Sequence, residues 1–111
     1  MPLDYRLKKE KDFELVFKKG KRVFSRSLTM IYLPANSTKV GFCVSKKHGK
    51  SVQRNRIKRL LRESFRSFFP NFGENFFFVF IPKVNEMHSV EQFKKDMAFM
   101  LEKNQLIKKD A

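Results

Sequence analysis

The cationic side chains between residues 46 and 66 are those whose types and spacing best suit a chemical task, and that task is phosphate binding. The segment KKHGKSVQRNRIKRLLRESFR contains nine Lys or Arg residues and one acid, Glu63. Arginine presents a planar fork of donors that matches the oxygens of a phosphate group. One carboxylate cannot neutralise nine cations, so the segment is typical of a surface that binds an external polyanion.

Most of this segment has the periodicity of an amphipathic helix, with Ser51 as its predicted N-cap. At roughly 100° per residue, its apolar and small side chains fall in one stripe about 140° wide. The stripe consists of Ile57, Leu60, Leu61, Ser64, Phe65 and Phe68. The cations lie on the other side, with Arg54 and Arg56 near its borders. The pattern predicts a helix that anchors one face in a core and presents guanidinium groups on the other.

The whole chain is basic, which narrows the class of partner. Its 111 residues carry a net charge of +14, and its pI is near 10.2. Such an excess of positive charge indicates that the binding partner is a nucleic acid or an anionic membrane surface. No apolar run approaches the roughly 20 residues that a membrane span needs, so no membrane partner is expected.

Length and composition predict a single domain over residues 1–111, with room for one modest core. A hydrophobic fraction of 41% that includes 14 Phe argues against disorder. The N-terminal segment MPLDYRLKKEKDF lacks the apolar stretch of a signal peptide. The single Cys excludes an internal disulfide and a Cys-rich metal site. A reducing, cytoplasmic location is therefore expected.

The segment before the basic helix predicts one helix and then extended structure. Residues 10–19 predict a helix with an apolar face, closed by Gly20 in the left-handed conformation. That face consists of Phe13, Val16 and Phe17. The next segment, KRVFSRSLTMIYL, predicts two strands with a break near residues 25–26, and residues 39–45 predict a third strand.

The segment after the basic helix predicts a turn, a strand and a last helix. Residues 70–73 predict the turn, and residues 75–81 (NFFFVFI) predict a strand that is covered on both faces. Ser89 is the predicted N-cap of the last helix, with Gln92 at the reciprocal capping position. The core stripe of that helix is Val90, Phe93, Met97, Met100 and Leu101. The order α-β-β-β-α-β-α predicts an α/β sandwich in which the second and third helices pack on a mixed sheet.

Several short motifs, in this order and at these spacings, resemble those of the protein subunit of bacterial ribonuclease P. They are Arg6-Leu7, Asp12-Phe13, Val16-Phe17, Gly20, Ser25-Arg26, Gly41, Val44-Ser45-Lys46-Lys47, Gly49-Lys50, Arg54-Asn55-Arg56-Ile57-Lys58-Arg59 and Arg62-Glu63. Each motif is weak alone, but the ordered set covers almost the full chain and is very specific. The resemblance implies a two-layer, ribosomal-protein-like α/β sandwich. It also implies a left-handed crossover from the third strand through the basic helix to the fourth, which is a rare handedness.

The resemblance also implies a function. The family's protein does not cut RNA; it binds a large catalytic RNA, one protein for each RNA, and together they remove the 5′ leader of precursor tRNA. No catalytic residue is then expected in this chain, and the Mg²⁺ that the enzyme needs is bound mainly by the RNA. The residues expected to bind the catalytic RNA are Lys46, Lys47, Lys50, Arg54, Asn55, Arg56, Lys58, Arg59 and Arg62. Those expected to bind the single-stranded leader are Phe13, Phe17, Arg26 and Ile31.

Two features of the expected leader site leave alternatives open. Ile31 occupies the strand position where relatives often have a leader-contacting Tyr, and Tyr32 is next to it. Neighbouring strand residues point to opposite faces, so either Tyr32 faces away from the leader or a shift of register restores it. Phe13 and Phe17 also have two interpretations. Aromatic residues four apart on a helix are usually core, whereas single-stranded RNA stacks on aromatic rings inside a basic groove.

Other functions fit parts of the sequence. A generic RNA-binding protein of the ribosomal type shares the basic composition and the α/β build. A protein-only nuclease needs clustered carboxylates or a His pair, whereas His48 and His88 are isolated, and His48 is predicted to be a solvated loop residue. A DNA-binding domain is a weaker alternative, since no helix-turn-helix spacing precedes the basic helix.

Overall fold

The described part of the chain contains three α-helices and four strands in the predicted order α-β-β-β-α-β-α. The computed structural model describes residues 5–69, 72, 74–84 and 87–107. The elements are α1 (Glu10–Lys19), β1 (Lys21–Phe24), β2 (Leu28–Pro34), β3 (Lys39–Phe42), α2 (Ser51–Arg66), β4 (Phe76–Pro82) and α3 (Val90–Lys103), with a 3₁₀ turn at Lys46–His48 before α2. The turn predicted at residues 70–73 lies outside the described residues apart from Phe72.

The sheet is mixed, and its most buried strand is the apolar run of the sequence. Its strand order is β1-β2-β4-β3. The pairs β1–β2 and β2–β4 are antiparallel, whereas β3 and β4 are parallel neighbours joined by the crossover through α2. Every residue of β4 from Phe76 to Phe80 is buried, which confirms the prediction of a strand covered on both faces.

The two faces of the sheet are covered unequally. On one face α2 and α3 form the larger core, in which Phe65 and Met97 have no exposed surface. On the other face α1 covers only the middle, where Val16 packs with Ile31 and Val79. The fold is therefore a two-layer α/β sandwich with one short helix across its second face.

An aromatic cluster anchors the basic helix. The ring centroid of Phe65 lies 5.6 Å from those of Phe72 and Phe78 and 5.5 Å from that of Phe80. The rest of the stripe predicted for α2 is buried or half-buried as well. Full burial of one such side chain stabilises the fold by about 1.5–3 kcal/mol. This packing fixes which face of α2 is turned outward.

Two helix ends differ from the prediction. Gly20 is extended, with a φ of −72°, and not left-handed. A glycine is needed there for space, because a Cβ would lie 2.7 Å from the Cγ2 of Ile31. Ser51 is the first residue of α2, and its N-cap is Lys50, whose backbone N–H donates to the Oε1 of Gln53 at 3.0 Å.

A buried carboxylate ties α3 to the connection between β1 and β2. Asp96 accepts hydrogen bonds from the backbone N–H of Ser27, at 2.9 Å, and from its hydroxyl. The side chain of Gln92 donates to the same carboxylate at 3.1 Å. The backbone N–H of Gln92 donates to the Oγ of Ser89 at 3.1 Å, which confirms Ser89 as the N-cap. The prediction of a reciprocal cap by Gln92 is wrong, because its side chain is bonded to Asp96 instead. The Asp96 contact holds the turn that carries Arg26 against the rest of the domain.

Candidate nucleic-acid interface

The outward face of α2 presents the cationic side chains that were predicted from the sequence to bind RNA. Exposed or half-buried on this face are Arg54, Asn55, Arg56, Lys58, Arg59 and Arg62. The one acid of the helix, Glu63, pairs with Arg66 at the exposed C-terminal end. An exposed pair of this kind adds little stability, and it occupies the only carboxylate of the helix. The rest of the face keeps its positive charge, as a polyanion site requires.

The loop before α2 is held in place by His48. Its Nδ1 accepts the backbone N–H of Ser45 at 3.0 Å, and its Nε2 donates to the carbonyl of Pro82 at 2.6 Å. Because a carbonyl only accepts, this geometry corresponds to the neutral ring with its proton on Nε2. The half-buried ring ties the loop to the end of β4, so the prediction of a solvated histidine is wrong. The loop presents Lys46, Lys47 and Lys50, which are all exposed.

Arg54 carries a donor that this structure leaves unpaired. Its Nε is buried and has no hydrogen-bond partner among the described residues. A buried donor without an acceptor costs about 1–3 kcal/mol. A phosphate oxygen placed against this guanidinium would supply an acceptor at the border between the core stripe and the cationic face.

A second surface lies on the opposite side of the sheet, along α1. Phe17 keeps 37% of its surface exposed, and the guanidinium of Arg22 on β1 lies 5.9 Å from the centre of its ring. Phe13 is half-buried and lies against Gly41 of β3, where a Cβ would stand 2.5 Å from the ring. The two rings therefore line the edge of α1, one beside a cation and the other over bare backbone.

Beyond α1 the sheet is open and forms a floor. A row of side chains on this face runs from Phe24 on β1 to its partner Thr29 on β2, and from Thr29 to its partner Ile81 on β4. Cys43, which follows β3, continues the row beside Ile81. Phe24 is 66% exposed and the other three are half-buried. We call this floor, together with the edge of α1 that carries Phe13 and Phe17, the α1 cleft.

Of the other residues predicted for the leader site, Arg26 lies beside the α1 cleft and Ile31 does not reach it. Arg26 is exposed on the turn that follows β1. Ile31 has no exposed surface, because it packs under α1 against Val16, and its side chain therefore cannot touch RNA. Tyr32 points to the opposite face, where its ring meets that of Phe76 edge-on at 5.9 Å. The observed register presents neither residue to the cleft.

Sequence reasoning did not assign Phe24, although the alternation of β1 contains the signal. In KRVF, only Val23 packs into the core under α2 and α3. Its neighbours must project from the other face of the strand. A phenylalanine placed out of phase with the core-facing residue of a short strand therefore indicates an exposed ring.

The α2 face and the α1 cleft meet at the edge of β3. A groove of about 200 Å³ is lined there by Phe13 and Gly41 from the cleft and by Lys58 and Arg62 from α2. Near this groove, burial raises the pKa of the Cys43 thiol, and the positive charge of Lys58 partly opposes the rise. The two surfaces, predicted separately from the sequence, adjoin at this groove.

Two other kinds of site are missing from the part of the chain that the structure describes. No three His, Cys, Asp or Glu side chains in it lie close enough to hold a metal ion. None of its helices combines the length and apolarity of a membrane span. The oxygen ligands that a hard divalent cation prefers are therefore not gathered among these residues.

Known proteins of similar sequence and similar structure cover most of the chain. The family model described as Ribonuclease P matches residues 1–105. The ribonuclease P protein component of Finegoldia magna is 40% identical over 86 residues, which are 77% of this chain and 76% of that protein. That of an Exiguobacterium strain is 46% identical over 77 residues, 68% of each chain. Among solved structures, the RNase P protein of Staphylococcus aureus matches with a TM-score of 0.80 at 28% identity, covering 94% of this chain and 98% of that one. The RNase P protein of Thermotoga maritima matches with a TM-score of 0.76 at 27% identity, covering 88% and 96%.

Proposed function

Because this chain belongs to the ribonuclease P protein family, we propose that its two surfaces bind two different RNAs. The chain is the protein subunit of ribonuclease P, the ribonucleoprotein that processes the 5′ end of tRNA, and it works with the RNase P RNA. We assign the α2 face and the lysines of residues 46–50 to the RNase P RNA. We assign the α1 cleft to the single-stranded 5′ leader of precursor tRNA.

Docking of the RNase P RNA is supported by the charge of α2 and by the way the helix is held. Arginine contacts phosphate through paired hydrogen bonds, and each neutralised phosphate releases counterions, which favours binding. The aromatic cluster around Phe65 fixes the orientation of the helix, and His48 fixes the loop before it. The helix and the loop that carry the cations are therefore positioned before RNA arrives, and less loop freedom is lost on binding.

Binding of the leader is supported by the rings of the α1 cleft, of which Phe17 is exposed and Phe13 is half-buried. An unpaired base can stack on Phe13 or Phe17, while the adjacent phosphates lie near Arg22 and Arg26. Base faces are covered by their neighbours in a duplex, so a cleft that works by stacking selects single strands. The leader is the single-stranded part of the substrate, whereas the body of tRNA is folded.

The groove shared by Phe13 and Lys58 is the observation that carries the proposal. The leader is covalently continuous with the tRNA, and the bond to be cut has to lie at the catalytic RNA. A leader that enters the α1 cleft through this groove has the RNase P RNA on the α2 side and the open sheet ahead of it. The protein then holds the leader next to the place of cleavage.

We place the chemistry of cleavage in the RNA. Metal-assisted hydrolysis of a phosphodiester needs divalent ions held by oxygen ligands, and Mg²⁺ bound mainly by the RNA supplies it. The chain contributes binding energy and orientation through its own side chains, with one protein for each RNA in the cytoplasm. No residue of this chain is assigned a catalytic role.

Reconstitution tests this division of labour. Precursor tRNA is incubated at low magnesium with the RNase P RNA alone, with the protein alone, and with both. We expect efficient cleavage only with both, and no cleavage with the protein alone. Cleavage by the protein alone would move the active site into the chain. An RNA whose activity the protein leaves unchanged would remove the docking assignment.

A further inference from the structure

Among the described phenylalanines, Phe24 exposes the largest fraction of its surface, 66%. It ends the edge strand β1, where it pairs with Thr29 of β2. A ring left this open forgoes most of the stabilisation that burial provides. Its surface is therefore free for contact with another molecule.

The direction of the Phe24 ring follows from the two residues before it. Side chains of a strand alternate between the faces of the sheet. Val23 packs into the core under α2 and α3, and Arg22 reaches Phe17 of α1 on the opposite face. Phe24, two residues after Arg22, shares that opposite face and so belongs to the α1 cleft.

The surroundings of the Phe24 ring suit a nucleotide. Arg22 and Arg26 flank it along the chain and are both exposed. The backbone N–H of Lys83 donates to the carbonyl of Ser27 at 3.0 Å, which brings a third exposed cation to this end of the floor. An aromatic face among cations is the arrangement that binds single-stranded nucleic acid.

The geometry points to Phe24 as a further stacking platform for the leader, at the end of the floor opposite the groove at β3. The row from Cys43 to Phe24 spans three strand spacings, about 14 Å. Nucleotides next to the cleavage site lie at β3, beside α2, so only nucleotides farther upstream reach Phe24. The inference rests on the proposed function of the α1 cleft and specifies how far along the leader the cleft makes contact. The occupant is one unpaired base, either a purine or a pyrimidine, because stacking tolerates any sequence.

A fluorescent variant tests the contact directly, because the chain contains no tryptophan. In the reconstituted holoenzyme, F24W should lose fluorescence when precursor tRNA with a long leader binds, since a stacked base quenches the introduced indole. Mature tRNA should leave the signal unchanged. The matched control is F99W, because Phe99 is 53% exposed, has the Nζ of Lys103 5.4 Å from its ring centre, and lies on α3 across the sheet. No quenching of F24W, or equal quenching of both variants, would overturn the inference.

A leader-length series gives an independent measurement. F24A should weaken holoenzyme binding of long-leader precursors by about 5-fold to 150-fold, the contribution of one stacked base. It should leave affinity unchanged for mature tRNA and for leaders too short to cross the floor, and F99A should change nothing. A loss that is the same for every substrate would show a different role for the ring.

The variants F13A and F17A, measured in the same series, separate this inference from the function on which it rests. If they lose affinity for long leaders and F24A does not, the cleft binds the leader and the role of Phe24 is wrong. If none of the three depends on the leader, the assignment of the cleft itself fails. Losses for all three, with F24A affecting only the longer leaders, would support both.

Discussion

The ring of Phe13 lies so close to the backbone of Gly41 that a Cβ at that glycine would stand 2.5 Å from its Cε1 and Cζ atoms. The ring of Phe13 therefore packs directly on the backbone of β3, where Gly41 has no side chain. Because Phe13 also lines the groove that joins the α1 cleft to α2, this contact sets the position of an aromatic face at the entrance to the cleft.

The substitution Gly41→Ala should displace Phe13 without unfolding the protein. The clash is with the far end of a half-buried side chain, so we expect a stability cost of about 1–3 kcal/mol. Holoenzyme affinity for long-leader precursor tRNA should fall, and affinity for mature tRNA should not. In an F13A background, G41A should have no further effect on leader affinity. A full G41A effect in that background would show that the ring is not the cause.

Removal of three arginines should weaken docking to the RNase P RNA. The triple variant R54A/R56A/R59A loses contacts with phosphate, so both its affinity and the slope of log K against log salt should decrease. The slope should change by about one unit for each lost contact. The charge-matched control is K94A/K95A/K103A on α3, whose lysines are exposed and lie outside the α2 face. Equal effects of the two variants would mean that only net charge matters.

The thiol of Cys43 should react as a half-buried group on the cleft floor. Burial raises the pKa of this thiol, so less of it is thiolate at a given pH, and its alkylation should rise at higher pH than that of a free cysteine. Lys58→Ala removes a cation that lowers this pKa and should shift the curve further up in pH. Precursor tRNA should protect the thiol in the holoenzyme more than mature tRNA does. Since the chain has one cysteine, mass spectrometry reads the reaction directly.

Anions should stabilise the isolated protein. A net charge of +14 on 111 residues makes self-repulsion oppose the compact state, and a ligand that binds only the native state stabilises it by mass action. Sulfate, phosphate or a short RNA should raise the melting temperature, and chloride at the same ionic strength should raise it less. A melting curve that responds only to ionic strength would count against specific anion sites.

Helices, strands and the main core could be predicted because each follows from a local pattern. The stripe of α2 around Phe65 and the apolar run of β4 leave few alternatives for burial, and both are found as predicted. The cationic face of α2 follows in turn, since the stripe fixes the opposite side. The identity of the RNA partner was predicted from the resemblance of the ordered motifs to the ribonuclease P protein family.

The details that sequence reasoning missed depend on contacts between distant segments. Ile31 is buried because α1 crosses β2 at that position, and no pattern within β2 encodes where a helix that ends at Lys19 will lie. His48 is bridged because the end of β4 comes beside the loop before α2, and these segments are more than 30 residues apart in sequence. Gly20 is needed for its small size beside Ile31 and not for its conformation.

The central claim, that the α1 cleft holds the leader, is tested most directly with F13A and F17A in the holoenzyme. The matched control for F17A is L15A, since Leu15 is 39% exposed and Phe17 is 37% exposed on the same helix. Affinities are measured for precursor tRNA with a long leader and for mature tRNA, with a thermal melt of each variant. We expect F13A and F17A each to lose about 5-fold to 150-fold in affinity for the precursor, and L15A to lose none. Affinity for mature tRNA should not change. Equal losses for both substrates, with stability lowered by about 3–5 kcal/mol, would mean that these rings are core residues and that the leader binds elsewhere.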